Sequence, residues 1–192
     1  MHKNLPKYYY FVDDYNKDHI KSLNKNIAII FRNYSKKLEI NKIISINKFC
    51  KSNRRTFILA NNIKLAIKLD LDGVYLPSFN KSIKINNYQK KKKFIIIGSA
   101  HNLKEIRIKE KQNVDAIFIA SLFNKKQTYL GIERFKTLIK KTNLKIVALG
   151  GINQNNLNKI RLLNVFGIAG ISFFKNQKKN GPLKRAVLKF LT

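Results

Sequence analysis

The sequence predicts a parallel α/β protein of the (β/α)8 barrel class, and three observations support this prediction. Eight short runs rich in Ile, Val and Phe alternate with segments of helical length. The runs are continuously apolar, which is typical of parallel strands buried on both faces. Eight strands also suffice to close a barrel. The rival fold, an open doubly wound sheet, would carry a Gly-rich turn after its first strand, where this chain has Asp13, Asp14 and Tyr15.

In the first half of the chain, turn and capping residues separate the predicted elements. Asp13 and Asp14 end the first strand, and Pro77 ends the fourth. Ser35, with Glu39 near the first turn, is suited to cap the second helix. The predicted elements are, in order, strand 8–12, helix 15–24, strand 27–31, helix 35–50, strand 56–60, helix 62–69 and strand 73–76.

In the second half, glycines mark the ends of strands and the start of a helix. Gly98 follows the fifth strand, Gly131 opens a helix, and Gly150 and Gly151 follow the seventh strand. Pro182 suits the first turn of a closing helix. The predicted elements are, in order, short helix 82–89, strand 94–97, helix 102–112, strand 115–119, helix 131–141, strand 145–149, helix 153–163, strand 167–171 and helix 181–190.

Length and composition indicate one globular domain spanning residues 1–192. The chain is 44% hydrophobic, and no apolar run approaches the ~18–20 residues of a membrane span. No signal peptide is recognisable, so a cytoplasmic location is expected. The single cysteine, Cys50, excludes an internal disulfide and is predicted to pack inside a helix as a small hydrophobic residue.

The charge is strongly positive, with 40 Lys and Arg residues against 10 Asp and Glu residues and a formal net charge of +30. Such a surplus attracts polyanions, so nucleic acid is one possible partner. Compositional drift is the favoured explanation, because lysine, asparagine and isoleucine are abundant along the whole chain. The one dense lysine run covers residues 90–93, just before a predicted buried strand. Charge alone therefore identifies no partner.

The segment 145–163 predicts a phosphate-binding site. An apolar strand ends at Gly150 and Gly151, and a polar helical segment follows at once, which places backbone N–H groups near the strand end. Gly170 and Ser172 lie at the end of the next strand. The loops after the last two strands form the usual phosphate pocket of such barrels. The alternative interpretation is that these glycines only make turns.

Other polar residues follow the remaining strands and are expected at the same mouth. Arg32 suits a phosphate or diphosphate, or is a solvated loop residue. His101 is placed to transfer a proton, or to cap a helix start. Lys125 and Lys126 follow the sixth strand as further anion-binding candidates. No zinc-like His or Cys spacing, G-x-S-x-G elbow or Walker loop is present.

Five segments, in order and with fitting spacing, resemble the thiamine phosphate synthase family and its relative TenI, the thiazole tautomerase. They are residues 57–62, 71–76, 97–105, 148–152 and 167–172. The resemblance implies a barrel that condenses a pyrimidine diphosphate with a thiazole phosphate, with magnesium holding the diphosphate. It also implies roles for single residues: Arg32 as the diphosphate-binding arginine, Asn61 as the site asparagine, Ser99 on the pyrimidine side, Gly151 at the phosphate, Ser172 after the eighth strand, and His101 at the position of the TenI catalytic histidine.

The chain departs from the family pattern where the metal would bind. Asn62 and Asn80 stand at the two magnesium aspartates, and Ile30 and Tyr34 replace a glutamine and a lysine that flank the arginine. The loop after the sixth strand is also shortened. Because Mg²⁺ needs anionic oxygen ligands, we expect no metal site and a divergent member with weakened synthase chemistry that binds a phosphorylated thiazole or thiamine phosphate.

Three alternatives remain open. They are an active synthase, which would use magnesium, a TenI-type tautomerase that uses His101, and an inactive barrel that binds phosphorylated ligands or polyanions. The sequence does not predict an oligomeric state.

Overall fold

The computed structural model describes residues 3–34, 39–125 and 127–175, and its eight parallel strands form a closed barrel. Each strand pairs with the next along the chain, and the eighth pairs with the first. The strands are β1 Tyr8–Val12, β2 Ile27–Phe31, β3 Phe57–Ala60, β4 Gly73–Leu76, β5 Ile95–Ala100, β6 Ala116–Ile119, β7 Lys145–Leu149 and β8 Gly167–Gly170. The helices are α1 Lys17–Ser22, α2 Ile40–Ser52, α3 Ile63–Lys68, α4 Leu103–Lys111, α5 Gly131–Ile139, α6 Leu157–Arg161 and α7 Ser172–Lys175, with 3₁₀ turns at Ile83–Asn87 and Gln154–Asn156.

The predicted barrel class is confirmed, and all eight strands lie where the sequence placed them. β5 extends to Ala100, beyond the predicted end at residue 97, because Gly98 and Ser99 pair with Ile117 and Phe118 of β6. The predicted helix 153–163 begins instead as a 3₁₀ turn, and the short helix α7 was not predicted. The Ser35 cap and the closing helix 181–190 lie outside the described residues.

The core has two layers, which follow from the alternation of side chains along each strand. One layer fills the barrel interior, and the other packs the outer face of the sheet against the helices. Four aromatic residues dominate the interior, with ring centroids 4.9–6.0 Å apart: Tyr9, Phe11, Tyr75 and Phe118. Because the interior is filled, a ligand must bind at the mouth rather than inside the barrel.

A buried arginine stabilises the end of the barrel where the strands begin. The buried Arg55 guanidinium donates hydrogen bonds to the carbonyl oxygens of Ile20, Leu23, Asn24 and Ile27 at 2.7–3.2 Å. These bonds hold the connection between α1 and β2.

Cys50 is buried on the outer layer, as predicted, and burial raises the pKa of its thiol to about 12. No helix within the described residues is long and apolar enough to cross a membrane.

Candidate functional site

The loop after β7 has a backbone that only glycine adopts without strain. Gly150 has a φ of +102° and Gly151 a φ of +72°. A Cβ atom on Gly150 would lie 2.5 Å from Ser121 Oγ, and one on Gly151 would lie 2.6 Å from Asn124 N. The Phe123 N–H also donates to the Gly150 carbonyl oxygen at 2.9 Å. The two glycines are therefore needed for close packing against the loop after β6, whatever else they bind.

The same loop carries free hydrogen-bond donors. Within residues 3–34, 39–125 and 127–175, neither the Gly150 nor the Gly151 N–H has an acceptor. Two of the donors expected at the helix start are already used, since the Asn156 side chain accepts from Asn153 N and the Asn153 side chain accepts from Asn155 N, each at 3.0 Å. The glycine amides are thus donors available to an anion beside a helix start that is partly capped by its own side chains.

The other residues predicted for this rim are less constrained by packing. Gly170 ends β8, where an added Cβ would meet Phe173 Cβ at an ordinary 3.6 Å, so the space there does not require glycine. Ser172 is exposed and begins α7, and Lys125 is exposed in the loop after β6. Lys126 lies outside the described residues.

On the opposite rim, Arg32 follows β2 and is fixed from below. Its guanidinium carbon lies 4.5 Å from the centroid of the Phe11 ring, and its backbone N–H donates to Val12 O at 2.8 Å. A cation over an aromatic face at this distance is attracted by the ring quadrupole. The cationic group is therefore held above the filled interior, where it can meet an anionic ligand.

Three asparagines form a connected group between the loops after β3 and β4. Asn80 Nδ2 donates to Asn61 Oδ1 at 2.7 Å. Asn62 Oδ1 accepts the Leu65 N–H and so caps α3, and Asn80 Oδ1 accepts the Ser82 N–H, both at 3.0 Å. Asn61 also has a φ of +56°, a conformation that asparagine tolerates better than most residues. All three side chains hold the loops in place.

This rim does not fit the magnesium site that the family resemblance implies. Mg²⁺ is usually bound through carboxylates, and the oxygens of Asn62 and Asn80 are neutral and already accept backbone hydrogen bonds. Within the described part of the chain, no group of three His, Cys, Asp or Glu side chains is placed to hold a metal ion.

Ser99 lies at the floor of the mouth and is held by Tyr75, which sequence reasoning missed. The Tyr75 hydroxyl donates to Ser99 Oγ at 2.8 Å, and both side chains are buried. The pKa of Tyr75 is raised above its usual value, because burial outweighs the hydrogen bond with Ser99 and the nearby Arg32, which both lower it. The tyrosine position is apolar in the strand pattern, so nothing in the sequence indicated this polar pair.

His101 follows β5 and is oriented by Glu105, a second residue that sequence reasoning did not assign. Glu105 Oε2 accepts the His101 N–H at 2.7 Å and lies 3.0 Å from His101 Nδ1. Asn102 caps the same helix turn by accepting the Glu105 N–H at 3.0 Å. This spacing of Asn102 and Glu105 is a capping-box signal that could have identified the contact. With Nδ1 bound, Nε2 is the ring nitrogen that has no partner among the described residues and is available for proton transfer.

Comparison with known proteins identifies the family. The family described as thiamine monophosphate synthase matches residues 21–174, which is most of the chain. The chain belongs to this family. The resemblance predicted from the sequence is therefore confirmed.

Two thiamine-phosphate synthases from Prochlorococcus marinus illustrate the likeness. That of strain SARG is 35% identical over 132 residues, which cover 64% of this chain and 37% of the relative. That of strain MED4 is 30% identical over 152 residues, which cover 77% of this chain and 43% of the relative. The matched region thus spans less than half the length of these two family members.

A solved structure has the same fold. Thiamine phosphate pyrophosphorylase from Pyrococcus furiosus superposes with a TM-score of 0.75 over 97% of this chain and 98% of its own, at 20% identity. At this identity the likeness concerns the barrel alone.

Proposed function

We propose that this chain is an active thiamine phosphate synthase, which joins a pyrimidine diphosphate to a thiazole phosphate. Membership of the thiamine monophosphate synthase family, whose relatives here are named as synthases, supports this proposal. These relationships favour the active synthase over the divergent binder that the Asn62 and Asn80 substitutions led us to expect. The observation that carries the proposal is the glycine loop with its free amides on one rim, facing a cationic rim at Arg32.

The two rims suit the two anionic substrates. The Gly150 and Gly151 amides would bind the phosphate of the thiazole substrate, since strained glycine backbones commonly form anion-binding concavities. Arg32, with its five donors, would bind the diphosphate of the pyrimidine substrate, and Lys125 is placed to add charge from the loop after β6. Ser99, held on the floor by Tyr75, would contact the pyrimidine substrate.

The reaction requires a new carbon–nitrogen bond and the loss of diphosphate. The thiazole nitrogen lone pair attacks the methylene carbon of the pyrimidine substrate, while the bond from that carbon to the diphosphate oxygen breaks and its electron pair leaves with the diphosphate. Negative charge therefore grows on the leaving group. A fixed cation at Arg32 would stabilise that charge in the transition state. No step is assigned to a metal, because the residues of this rim do not fit one.

A direct assay tests the proposal. Purified protein is incubated with both substrates, and thiamine phosphate and released diphosphate are measured together by mass spectrometry and phosphate analysis. We expect stoichiometric formation of both products. Binding of each substrate by calorimetry without any product would contradict catalysis and indicate a binding protein.

The contact between His101 and Glu105 favours one second candidate, the tautomerase activity of TenI. A histidine oriented through Nδ1 could move a proton on a thiazole ring held at the glycine loop. Deuterium exchange into a thiazole carboxylate phosphate tests this, since His101→Ala should abolish exchange and leave thiamine phosphate formation measurable. Absence of exchange in the unaltered protein would exclude the tautomerase.

A further inference from the structure

Two aromatic side chains meet above the barrel mouth, on the loops after β2 and β4. The ring centroids of Tyr34 and Phe79 are 5.5 Å apart with an interplanar angle of 75°, an edge-to-face contact. Tyr34 is 50% exposed and Phe79 is 59% exposed, and neither belongs to the core clusters. The chain thus exposes two adjacent aromatic rings beside its candidate site instead of burying them.

Tyr34 follows Arg32 by two residues, on the same loop after β2. Arg32 stands over the Phe11 ring, whose centroid lies 5.3 Å from that of Tyr75. Burial raises the pKa of the Tyr34 phenol. Tyr75 is the buried residue that holds Ser99. Tyr34 therefore belongs to the loop that carries the cation expected to bind diphosphate, and that cation stands over rings that lead to the Tyr75–Ser99 pair.

Phe79 is held in position from below. The carbonyl oxygens of Pro77 and Asn80, on either side of it, accept hydrogen bonds from the Lys109 ammonium at 2.8 and 2.7 Å. Lys109 is completely buried, and Gln112 Nε2 adds a bond to Asn80 O at 3.1 Å. A side chain on such a fixed loop loses little freedom when a ligand packs on it, which favours binding.

The site must accommodate a flat heteroaromatic ring next to a diphosphate. Aromatic side chains provide stacking surfaces for such rings. The chain carries this exposed aromatic pair on the loop of Arg32 and the loop after β4, which is suited to a ligand with a planar ring at one end and negative charge at the other. The thiazole substrate is less suited, because its phosphate anchor lies on the far rim at Gly150 and Gly151.

We propose that Tyr34 and Phe79 form an aromatic subsite that receives the pyrimidine ring of the diphosphate substrate. This inference rests on the proposed synthase function. The ring packs against the aromatic pair, its diphosphate meets Arg32, and its edge faces Ser99. The pair thus sets the preference for an aromatic diphosphate over inorganic diphosphate.

Binding titrations of four variants test the subsite. Tyr34→Leu and Phe79→Leu remove a ring and keep an apolar side chain, Tyr34→Phe keeps the ring, and Leu162→Ala removes an exposed apolar side chain at the other end of the barrel. We expect each ring-removing variant to weaken pyrimidine diphosphate binding roughly tenfold, equivalent to about 1.4 kcal/mol. Binding of inorganic diphosphate and of thiazole phosphate should stay unchanged, as should all binding by Leu162→Ala, and Tyr34→Phe should weaken pyrimidine diphosphate binding less than Tyr34→Leu.

A fluorescent variant gives a second readout that does not depend on activity. The chain contains no tryptophan, so Phe79→Trp introduces a single reporter into the subsite. Pyrimidine diphosphate should change its emission, whereas inorganic diphosphate should not.

Equal weakening of pyrimidine diphosphate and inorganic diphosphate by the Leu variants would overturn the subsite and assign the rings a loop-packing role. Unchanged binding of the pyrimidine substrate would overturn it as well. Failure of the unaltered protein to bind pyrimidine diphosphate would instead overturn the synthase proposal, and the subsite with it.

Discussion

The two rims of the barrel mouth are built on different chemistry. The rim formed by the loops after β6 and β7 is a backbone site, in which Gly150 and Gly151 pack against Ser121 and Asn124 and keep their amides free. The rim formed by the loops after β2, β3 and β4 is a side-chain site, with a cation at Arg32 and linked asparagine amides.

The comparison shows which parts of a site can change within one fold. A backbone site depends on glycine conformation and close packing, so almost any side chain disrupts it. A side-chain site should tolerate some exchange of its groups, since a carboxylate at Asn62 or Asn80 can accept the same Leu65 and Ser82 amide hydrogen bonds that hold the loops. Substitutions at the glycine rim should therefore weaken ligand binding strongly, whereas substitutions at the opposite rim should change ligand binding in proportion to the charge removed or added.

The largest effects are expected at Gly151, and its replacement with Ala already weakens binding strongly. The added Cβ would lie within 2.6–2.8 Å of the backbone atoms Asn124 N and Phe123 C, and alanine disfavours the φ of +72°. We expect thiazole phosphate affinity to fall by at least about 100-fold, which corresponds to roughly 2.7 kcal/mol. Calorimetry measures this, and circular dichroism verifies the fold. A Gly151→Ala protein that binds normally would refute the backbone site.

Gly151→Asp adds a negative charge to the same change and should bind no thiazole phosphate at all. Its control is Asn113→Asp, which adds the same charge at an exposed position on the other end of the barrel. Equal losses in both variants would attribute the effect to net charge rather than to the loop.

The next effect concerns Arg32. Arg32→Met removes the cation and keeps an apolar chain over Phe11, and we expect pyrimidine diphosphate affinity to fall about 10- to 100-fold, the usual range for a charge-assisted contact. Thiazole phosphate binding should be unaffected, and Arg32→Lys should recover part of the loss. If Arg32→Met weakens both substrates alike, the two rims do not act separately.

Placing carboxylates at the positions of Asn62 and Asn80 should make substrate binding at that rim depend on magnesium. In the double variant Asn62→Asp with Asn80→Asp, we expect pyrimidine diphosphate to bind roughly tenfold more tightly with Mg²⁺ than with a chelator, since carboxylates are the ligands this ion uses. The unaltered protein should show a smaller difference between the two conditions. An equally large magnesium effect on the unaltered protein would contradict the conclusion that this rim does not fit the metal.

The smallest effect on binding, but a distinct pH dependence, is expected from Lys109. Burial lowers the pKa of Lys109 from its usual value to about 8, so an unfolded chain holds this proton more tightly than the folded one between about pH 8 and 10. Stability relative to Lys109→Met should therefore rise as pH increases through that window. The free energy of unfolding of both proteins is measured with urea at several pH values. If the two proteins show the same dependence of stability on pH, the buried Lys109 does not cause the dependence.

The sequence was sufficient for the fold because the strand pattern is local. Apolar runs, glycine turns and the count of eight are visible without tertiary contacts, and the strands lie where they were predicted. The glycine loop was predicted for the same reason. Two of the amide donors expected beside it, however, are bonded to the side chains of Asn153 and Asn156.

The rest of the site depends on contacts between distant segments. Tyr75 and Ser99 are 24 residues apart, and Lys109 reaches a loop 32 residues before it, so neither contact leaves a sequence pattern. The pairing of Tyr34 with Phe79 also arises only when the loops after β2 and β4 are brought together. Side chains that act across neighbouring strands were therefore missed or left as isolated candidates.

A crystal structure of the protein with thiazole phosphate would test the central claim most directly. We predict phosphoryl oxygens within about 3 Å of the Gly150 and Gly151 nitrogens, the normal length of such hydrogen bonds. A phosphate bound instead at Arg32, with the glycine amides facing solvent, would contradict the account.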